Sequence, residues 1–188
     1  MIKSFLIGIV VGILLLSGSV YYYFDSGMAP VATSDPPMPF EHMMARKALS
    51  AHIDEQKIPA PPIPADEPNL VAGAKVYKDH CAECHGLPNQ PSPVISDIMF
   101  PHAPMLFKGH GVTDDPPQES YWKAQNGIRL SGMPGFKKAL SDTQLWQVAL
   151  LVANADKLPD SAKAVLVPEP APAAPAAPVA MNKTKKKK

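Results

Sequence analysis

The sequence predicts an all-α protein with one N-terminal transmembrane helix, a small helical domain and a disordered C-terminal tail. Phe5 to Phe24 is a run of 20 uncharged residues, which is long enough to cross a bilayer as a helix. Helix-start signals followed by apolar residues at helical spacing recur between residues 69 and 160. Residues 161–188 turn to a Pro/Ala-rich sequence, which is too poor in large apolar side chains to bury a core.

Residues 1–25 are predicted to be a retained membrane anchor. Lys3 precedes the apolar run and Asp25 follows it, so the positive-inside rule places the N-terminus in the cytoplasm. The alternative is a signal peptide cleaved after Gly27-Met28-Ala29, but Pro30 would then be an unfavourable first mature residue. No cysteine follows the run closely, which excludes a lipoprotein anchor. The following domain is exported in either case.

Residues 26–68 are predicted to be a Pro-rich tether that contains one amphipathic helix, from Pro39 to Gln56. The apolar residues that recur there at helical spacing are Phe40, Met43, Met44, Ala48 and Ala51. We expect this apolar side to pack on the following domain, since three large side chains would otherwise be exposed. The segment from Ile58 to Pro68 contains five prolines and is predicted to be a stiff polyproline spacer.

Three helices are predicted in the domain at residues 69–160. The first runs from about Pro68 to Cys81, and the residues that share one face are Leu70, Gly73, Ala74, Tyr77 and Cys81. The middle helix is expected to begin at Asp115, with Gln118 in the capping-box position, and to end at Gly127.

The last helix has the clearest start signal. Ser141 and Gln144 form a capping box, and Leu140 with Leu145 forms a hydrophobic staple. The predicted buried stripe consists of Leu145, Val148, Ala149 and Val152. Trp146 is expected to face either the first helix or the prosthetic group for which the motif described below is typical.

Charge is nearly balanced, with 18 basic and 17 acidic residues. Five of the basic residues lie among the last six positions: Lys183, Lys185, Lys186, Lys187 and Lys188. The body of the chain is therefore mildly acidic, and we expect no nucleic-acid partner. The lysine cluster could contact anionic lipid or an acidic protein, or serve only as a solubilising end.

The segment Cys81-Ala82-Glu83-Cys84-His85 has the spacing of a covalent c-type haem site. Thiols three residues apart can form thioether bonds to both vinyl groups of one porphyrin, and the next residue, His85, can bind the iron. These are the only two cysteines, which disfavours a zinc site built from two such pairs. No βαβ pattern of the thioredoxin type accompanies them. A structural disulfide and a chance occurrence of the motif are the remaining alternatives.

A second iron ligand is expected from the loop between the middle and last helices. Met133 lies in the sequence Gly132-Met133-Pro134, whose glycine and proline disfavour a regular helix. A thioether is a soft, neutral ligand, and His/Met ligation raises the reduction potential. Met99 and Met105 are rivals for this role, and His110 is the best alternative among the histidines.

Together, Cys81–His85 and the later Asn-Gly-Ile-x-x-x-Gly-Met-Pro-x-Phe segment resemble the class I cytochrome c family. The resemblance covers roughly residues 69–158 and implies a cytochrome c fold around one covalent haem c. It implies that Gly73 and Tyr77 form the crossing of the first and last helices, where this chain has Leu151 instead of the usual aromatic residue. It also implies that the Pro104 carbonyl accepts a hydrogen bond from His85. The haem-pocket residues that it suggests are Tyr77, Pro104, Leu106, Trp122, Ile128 and Arg129.

The function implied is electron transfer rather than catalysis. With His85 and Met133 on the iron, no substrate reaches the metal. We expect a monohaem carrier of single electrons between respiratory partners on the outer face of a bacterial cytoplasmic membrane. The haem domain would lie in the periplasm or extracytoplasmic space. The alternatives are a fixed haem relay in a dehydrogenase or oxidase complex, and a gas sensor or peroxidase with an open iron site.

Overall fold

The computed structural model describes residues 2–108 and 115–167, which form eight α-helices and no strand. The helices are α1 (Ile2–Asp25), α2 (Glu41–Glu55), α3 (Glu67–His80), α4 (Ala82–His85), α5 (Val94–Ile98), α6 (Pro117–Asn126), α7 (Asp142–Ala153) and α8 (Asp160–Val165). The predicted all-α class is confirmed. His110, the tail from residue 168 onward and the lysine cluster lie outside the described residues.

The core forms where α3 crosses α7, and α6 and α8 pack against this pair. Gly73 lies at the closest approach. A Cβ on Gly73 would stand 2.7 Å from the carbonyl carbon of Gln147 and 3.2 Å from the Cβ of Leu151. Only a residue without a side chain lets the helices meet at this distance. The predicted crossing of Gly73 with Leu151 is therefore present, and Leu151 is fully buried there.

Local capping explains where α3 begins. Asp66 is its N-cap, and its carboxylate accepts a 3.1 Å hydrogen bond from the backbone N–H of Asn69. Pro68 lies in the first turn, where a missing N–H costs no intrahelical bond. The helix ends against Cys81, so the predicted limits are correct to within one residue.

The predicted start of the middle helix was wrong by two residues. The helix α6 begins at Pro117 with Pro116 as its N-cap, and no side chain caps it. Because Pro116 has no side-chain acceptor and Gln118 is only the second helical residue, no capping box forms. The carboxylate of Asp115 forms a 3.1 Å ion pair with Lys123. Gly127 ends the helix with a φ of 71°, a conformation that favours glycine.

The predicted capping box of α7 is present, since Ser141 accepts from the Gln144 N–H and the Gln144 side chain accepts from the Ser141 N–H. All four residues of the predicted stripe are buried, and Leu150 and Leu151 are buried as well. Trp146 is buried at 2% exposure. Its indole stacks on the Tyr121 ring of α6 at a centroid distance of 4.0 Å.

Helix α8 was not predicted, and it lies beyond the domain boundary expected at residue 160. Ala162 and Leu166 are 0% and 1% exposed, and α8 packs against α3. The α8 sequence is short and weakly periodic. Its helical structure therefore depends on burial against α3 and not on helix propensity. The packed part of the chain therefore continues to Leu166.

The N-terminal helix α1 is 24 residues long, and its most apolar window has a mean hydropathy of 2.2. It is long and apolar enough to cross a membrane, and none of its residues is buried. The segment that follows is folded rather than extended. The Asp35 carboxylate accepts 2.9 Å hydrogen bonds from the N–H groups of Val31 and Ala32, and these bonds lower the Asp35 pKa.

The amphipathic helix in the tether is present as α2, but the face expected to pack on the domain was predicted wrongly. Phe40, Met43 and Met44 are 73%, 57% and 60% exposed. The residue that is buried is Ile53, at 7% exposure. Met44 and Ile53 are nine residues apart, which is two and a half helical turns, so they lie on opposite sides of α2.

The second Pro-rich segment also contacts the domain. Ile63 packs against the core cluster, and the Pro64 carbonyl accepts a 3.1 Å hydrogen bond from the Asn69 side chain. This spacer therefore lies along the domain, which a polyproline pattern alone did not indicate.

Candidate haem-binding site

The two cysteines and His85 lie on a single helical turn. The N–H of Cys84 and the N–H of His85 both donate to the carbonyl of Cys81, at 3.2 and 2.8 Å. Residues three and four positions apart lie on the same side of a helix. Both thiols are free and partly exposed, so the turn presents two thiols and an imidazole to one side.

The His85 ring is oriented by a backbone carbonyl. Its Nδ1 lies 2.8 Å from the carbonyl oxygen of Pro104. Because a carbonyl can only accept, Nδ1 carries the proton, and Nε2 keeps its lone pair free for a metal. Burial lowers the pKa of His85, and the bond to Pro104 opposes this in part. The neutral imidazole that a metal needs is therefore the favoured form.

The Pro104 carbonyl is held in place by its own neighbours. Ser96 in α5 is only 2% exposed, and its hydroxyl donates a 2.9 Å hydrogen bond to the carbonyl of Ala103, the residue before Pro104. The ring Nδ1 of His102 in turn lies 2.8 Å from the Ser96 carbonyl oxygen. The long proline-rich stretch before Pro104 is thus a braced loop that positions the acceptor for His85.

Tyr77 supports the other side of the Cys81–His85 turn. Its ring is fully buried, and its hydroxyl donates a 2.8 Å hydrogen bond to the carbonyl of Gly86. Phe107 packs edge-on against the same ring at a centroid distance of 4.9 Å. Burial raises the Tyr77 pKa well above its usual range, so the phenol stays protonated as a donor.

Met133 lies in a closed loop that returns to the end of α6. The carbonyl of Met133 accepts from the Ile128 N–H at 3.2 Å, and the Phe136 N–H donates to the Ala124 carbonyl at 2.9 Å. Gly127 and Gly135 meet at the neck of the loop, since a Cβ on Gly127 would lie 2.6 Å from the backbone nitrogen of Gly135. These contacts hold the partly buried Met133 at a defined position.

The rival methionines lie on two different sides of the site. The Met99 side chain packs directly against Gly132, so it is adjacent to the Met133 loop. The Met105 side chain packs against Gly86, next to the Cys81–His85 turn. Met99 is therefore the nearer rival for the position predicted for Met133.

The remaining predicted pocket residues are scattered around this centre. Leu106 is partly buried against the core, and Ile128 is partly buried in the Met133 loop. Arg129 is exposed. Trp122 contacts α2 through the His52 ring, at a centroid distance of 5.4 Å. The structure thus brings Tyr77 and Pro104 to the Cys81–His85 turn, whereas Trp122 is at least partly engaged elsewhere.

Burial also affects the first thiol. It raises the pKa of Cys81 to about 12, and the neighbouring Cys84 adds to the effect. Cys81 is therefore held as a neutral thiol near neutral pH.

Sequence reasoning did not identify Gly86, Ser96 or Phe107 as supports of the site. The Gly86 contribution is a backbone carbonyl, which leaves no trace in the residue type. Ser96 is one of two polar residues in the short helix α5, so its residue type alone did not single it out. Phe107 directly follows Leu106, and its aromatic character was the available signal.

These residues fit a covalently bound haem. The turn offers two free thiols at the required spacing, a histidine whose Nε2 is free, and methionine side chains close by. Gly86 leaves room for the side chain of Met105, and Gly132 leaves room for the side chain of Met99. The fold and site together define the class of haem-attaching, all-α electron-transfer domains.

Comparison with known proteins agrees with this class. Residues 68–152 match the family model described as Cytochrome C oxidase, cbb3-type, subunit III. Comparison with curated proteins and with solved structures finds no match. The chain therefore contains a c-type cytochrome domain, the domain of a haem-based electron carrier.

Proposed function

We propose that this protein is a monohaem c-type cytochrome, anchored by α1 in the cytoplasmic membrane of a bacterium. It carries single electrons between respiratory partners on the outer face of that membrane. Cys81 and Cys84 hold the haem through thioether bonds, and His85 and Met133 are the axial ligands. The observation that carries the proposal is the single helical turn bearing both thiols and a histidine whose Nδ1 is bound to Pro104.

An iron porphyrin held at this turn supplies one-electron redox chemistry. The residues of the protein keep the surroundings of the iron constant while the charge of the iron changes. Pro104 holds the His85 ring in one orientation, and Tyr77 holds the carbonyl of Gly86, next to His85. The glycine-necked loop holds Met133. A reduced donor gives one electron, an oxidised acceptor takes one, and no bond to the protein forms or breaks.

The direct test uses the full-length protein purified from membranes. Denaturing electrophoresis and intact mass should show one haem that acid–acetone extraction does not remove. A redox titration should follow a single one-electron step, and carbon monoxide should not bind the reduced protein. Extractable haem would refute the covalent attachment. Rapid carbon monoxide binding would favour the sensor or peroxidase class instead.

Intact mass also tests the anchor. The helix α1 begins at Ile2 and carries no buried residue, which suits a segment surrounded by lipid. A retained N-terminus is expected on the mature protein. A mature terminus between residues 20 and 35 would show cleavage, and the haem domain would then be a soluble exported carrier.

A second candidate is a fixed haem relay within an enzyme complex. The family that residues 68–152 match is described as a subunit of an oxidase. The contacts of α2 and of Ile63 with the domain would also suit a domain held in one position. Purification in a mild detergent separates the two, because a relay subunit would leave the membrane with stoichiometric partners and a carrier would not.

A further inference from the structure

The exposed apolar side of α2 has no partner among the described residues of the domain. Phe40, Met43 and Met44 are all more than half exposed, and they lie together at the start of the helix. The opposite side of α2 faces the domain through Ile53, and two histidine rings of α2 contact aromatic rings there, His42 with Phe100 and His52 with Trp122. One side of α2 thus contacts the domain, and the other side is apolar and exposed.

The start of α2 lies beside the outer end of the membrane helix. Met38 and Pro39 line one groove together with Ser19, Val20, Tyr23 and Phe24 of α1. Ser19 and Phe24 are five positions apart, so Pro39 lies within about 8 Å of the end of the aromatic segment along the helix axis. Aromatic residues at a helix end mark the membrane–water interface. Phe40 and the two methionines follow Pro39 directly.

Charge along the open side of α2 changes in the order that a membrane surface would require. The apolar residues Met43 and Met44 come first, Lys47 follows one turn later, and Asp54 and Glu55 lie at the far end. A lysine next to an apolar patch can place its stem in the interface and its ammonium group among phosphates. The carboxylates of Asp54 and Glu55 are then furthest from the lipid, and the Glu41 carboxylate at the helix start accepts a 2.7 Å hydrogen bond from the Met38 N–H.

We infer that Phe40, Met43 and Met44 insert into the outer surface of the lipid bilayer that α1 crosses. Lipid is the expected partner of this side for one reason. The groove between α1 and Pro39 lies at the aromatic end of α1, which is at the membrane surface, and the apolar side of α2 begins directly after that groove. The consequence is that α2 holds the haem domain against the membrane in one orientation. This inference rests on the proposed membrane anchoring by α1.

Cysteine accessibility tests the inference in the full-length haem protein reconstituted into phosphatidylcholine–phosphatidylglycerol vesicles. Once both native cysteines carry haem, an introduced cysteine is the free thiol. Met43→Cys and Met44→Cys are compared with Ala51→Cys, which lies on the same side two turns further along. A water-soluble maleimide should react roughly tenfold or more slowly at positions 43 and 44 than at position 51, because lipid excludes it.

Leu14→Cys in the middle of α1 separates the possible failures. If the maleimide reacts as fast at positions 43 and 44 as at 51 while position 14 stays protected, α2 does not insert and the anchor stands. If position 14 also reacts, the anchor itself is wrong, and the inference falls with it. Both residues replaced in α2 are more than half exposed, so these variants should fold.

The orientation of the haem domain relative to the membrane gives a second, independent test of the insertion of α2. Linear dichroism of the haem absorption on aligned membranes should show one preferred haem-plane angle in the wild type. The Met43→Ser/Met44→Ser double variant should show weaker dichroism with an unchanged solution spectrum. Equal dichroism in both proteins would show that the two methionines do not orient the domain.

Discussion

The Tyr77 hydroxyl in α3 donates a 2.8 Å hydrogen bond to the carbonyl of Gly86, which directly follows His85. The bond joins the first helix of the domain to the end of the Cys81–His85 turn. Tyr77 and Gly86 are both buried, so water does not readily replace the phenol as the donor to this carbonyl. The helix crossing and the candidate haem site are therefore coupled through this one side chain.

Tyr77→Phe should destabilise the domain by about 1–3 kcal/mol, because the buried Gly86 carbonyl loses its donor. Denaturant unfolding followed by the haem absorption measures the change. The matched control is Tyr22→Phe in α1, where the ring is 65% exposed and no loss is expected. Equal midpoints for Tyr77→Phe and the wild type would contradict the role given to this bond.

Gly73→Ala should destabilise the domain although alanine is the better helix former. Its Cβ would lie 2.7 Å from the carbonyl carbon of Gln147, so α3 and α7 must separate. We expect an overpacking cost of about 1–3 kcal/mol, which exceeds the helix-propensity gain of about 1 kcal/mol. Gly12→Ala is the control, since a Cβ there meets nothing within 4 Å. An unchanged or higher midpoint for Gly73→Ala would show that the crossing relaxes freely.

Met133 is expected to be the sixth iron ligand. Met133→His should lower the reduction potential, since a nitrogen ligand favours ferric iron more than a thioether does. Met133→Ala should open the iron to carbon monoxide and abolish the weak red charge-transfer band of sulfur-ligated ferric haem.

The controls for Met133 are Met99→Leu and Met105→Leu, which should leave both the band and the potential unchanged. Met99→Leu is the sharper control, because this side chain packs against Gly132 beside the ligand loop. A band that survives in Met133→Ala and disappears in Met99→Leu would assign the ligand to Met99.

Removing α8 should weaken the domain. A chain ending at Pro159 loses Ala162 and Leu166, which are 0% and 1% exposed. The lost burial of the leucine alone predicts a cost of about 1.5–3 kcal/mol. A chain ending at Val167 keeps α8 and should unfold at the wild-type midpoint. Identical midpoints for the two truncations would place the end of the domain before α8.

Tyr121 should add a pH-dependent contribution to stability. Burial and the 2.5 Å hydrogen bond to Asp142 raise its pKa from 10.0 to about 12. The folded protein thus holds this proton more tightly than the unfolded chain does, so the contribution is complete below pH 10.0 and declines between 10.0 and about 12.

Tyr121→Phe keeps an aromatic ring on Trp146 but cannot titrate. The wild type should therefore lose stability relative to this variant between pH 10.0 and about 12, the range between the ordinary and the raised pKa. Denaturant midpoints at both pH values measure the difference. A stability difference that does not change with pH would show that the phenol titrates normally.

Local sequence signals determined several parts of this protein. The Cys81–His85 spacing, the capping box at Ser141 and the apolar run in α1 each depend on residues within a few positions of one another. Such patterns define a helix start, a span or an attachment turn whatever the rest of the chain does. The all-α class and the c-type cytochrome domain follow from them.

Tertiary packing decided the features that join distant segments. The side of α2 that faces the domain depends on where Phe100 and Trp122 lie, and its own periodicity pointed to the opposite side. Helix α8 exists because α3 offers it a buried surface. The donor to Gly86 and the acceptor for His85 involve backbone carbonyls, which every residue carries. Only the three-dimensional arrangement, in which burial makes each such group need a partner, selects the ones that are used.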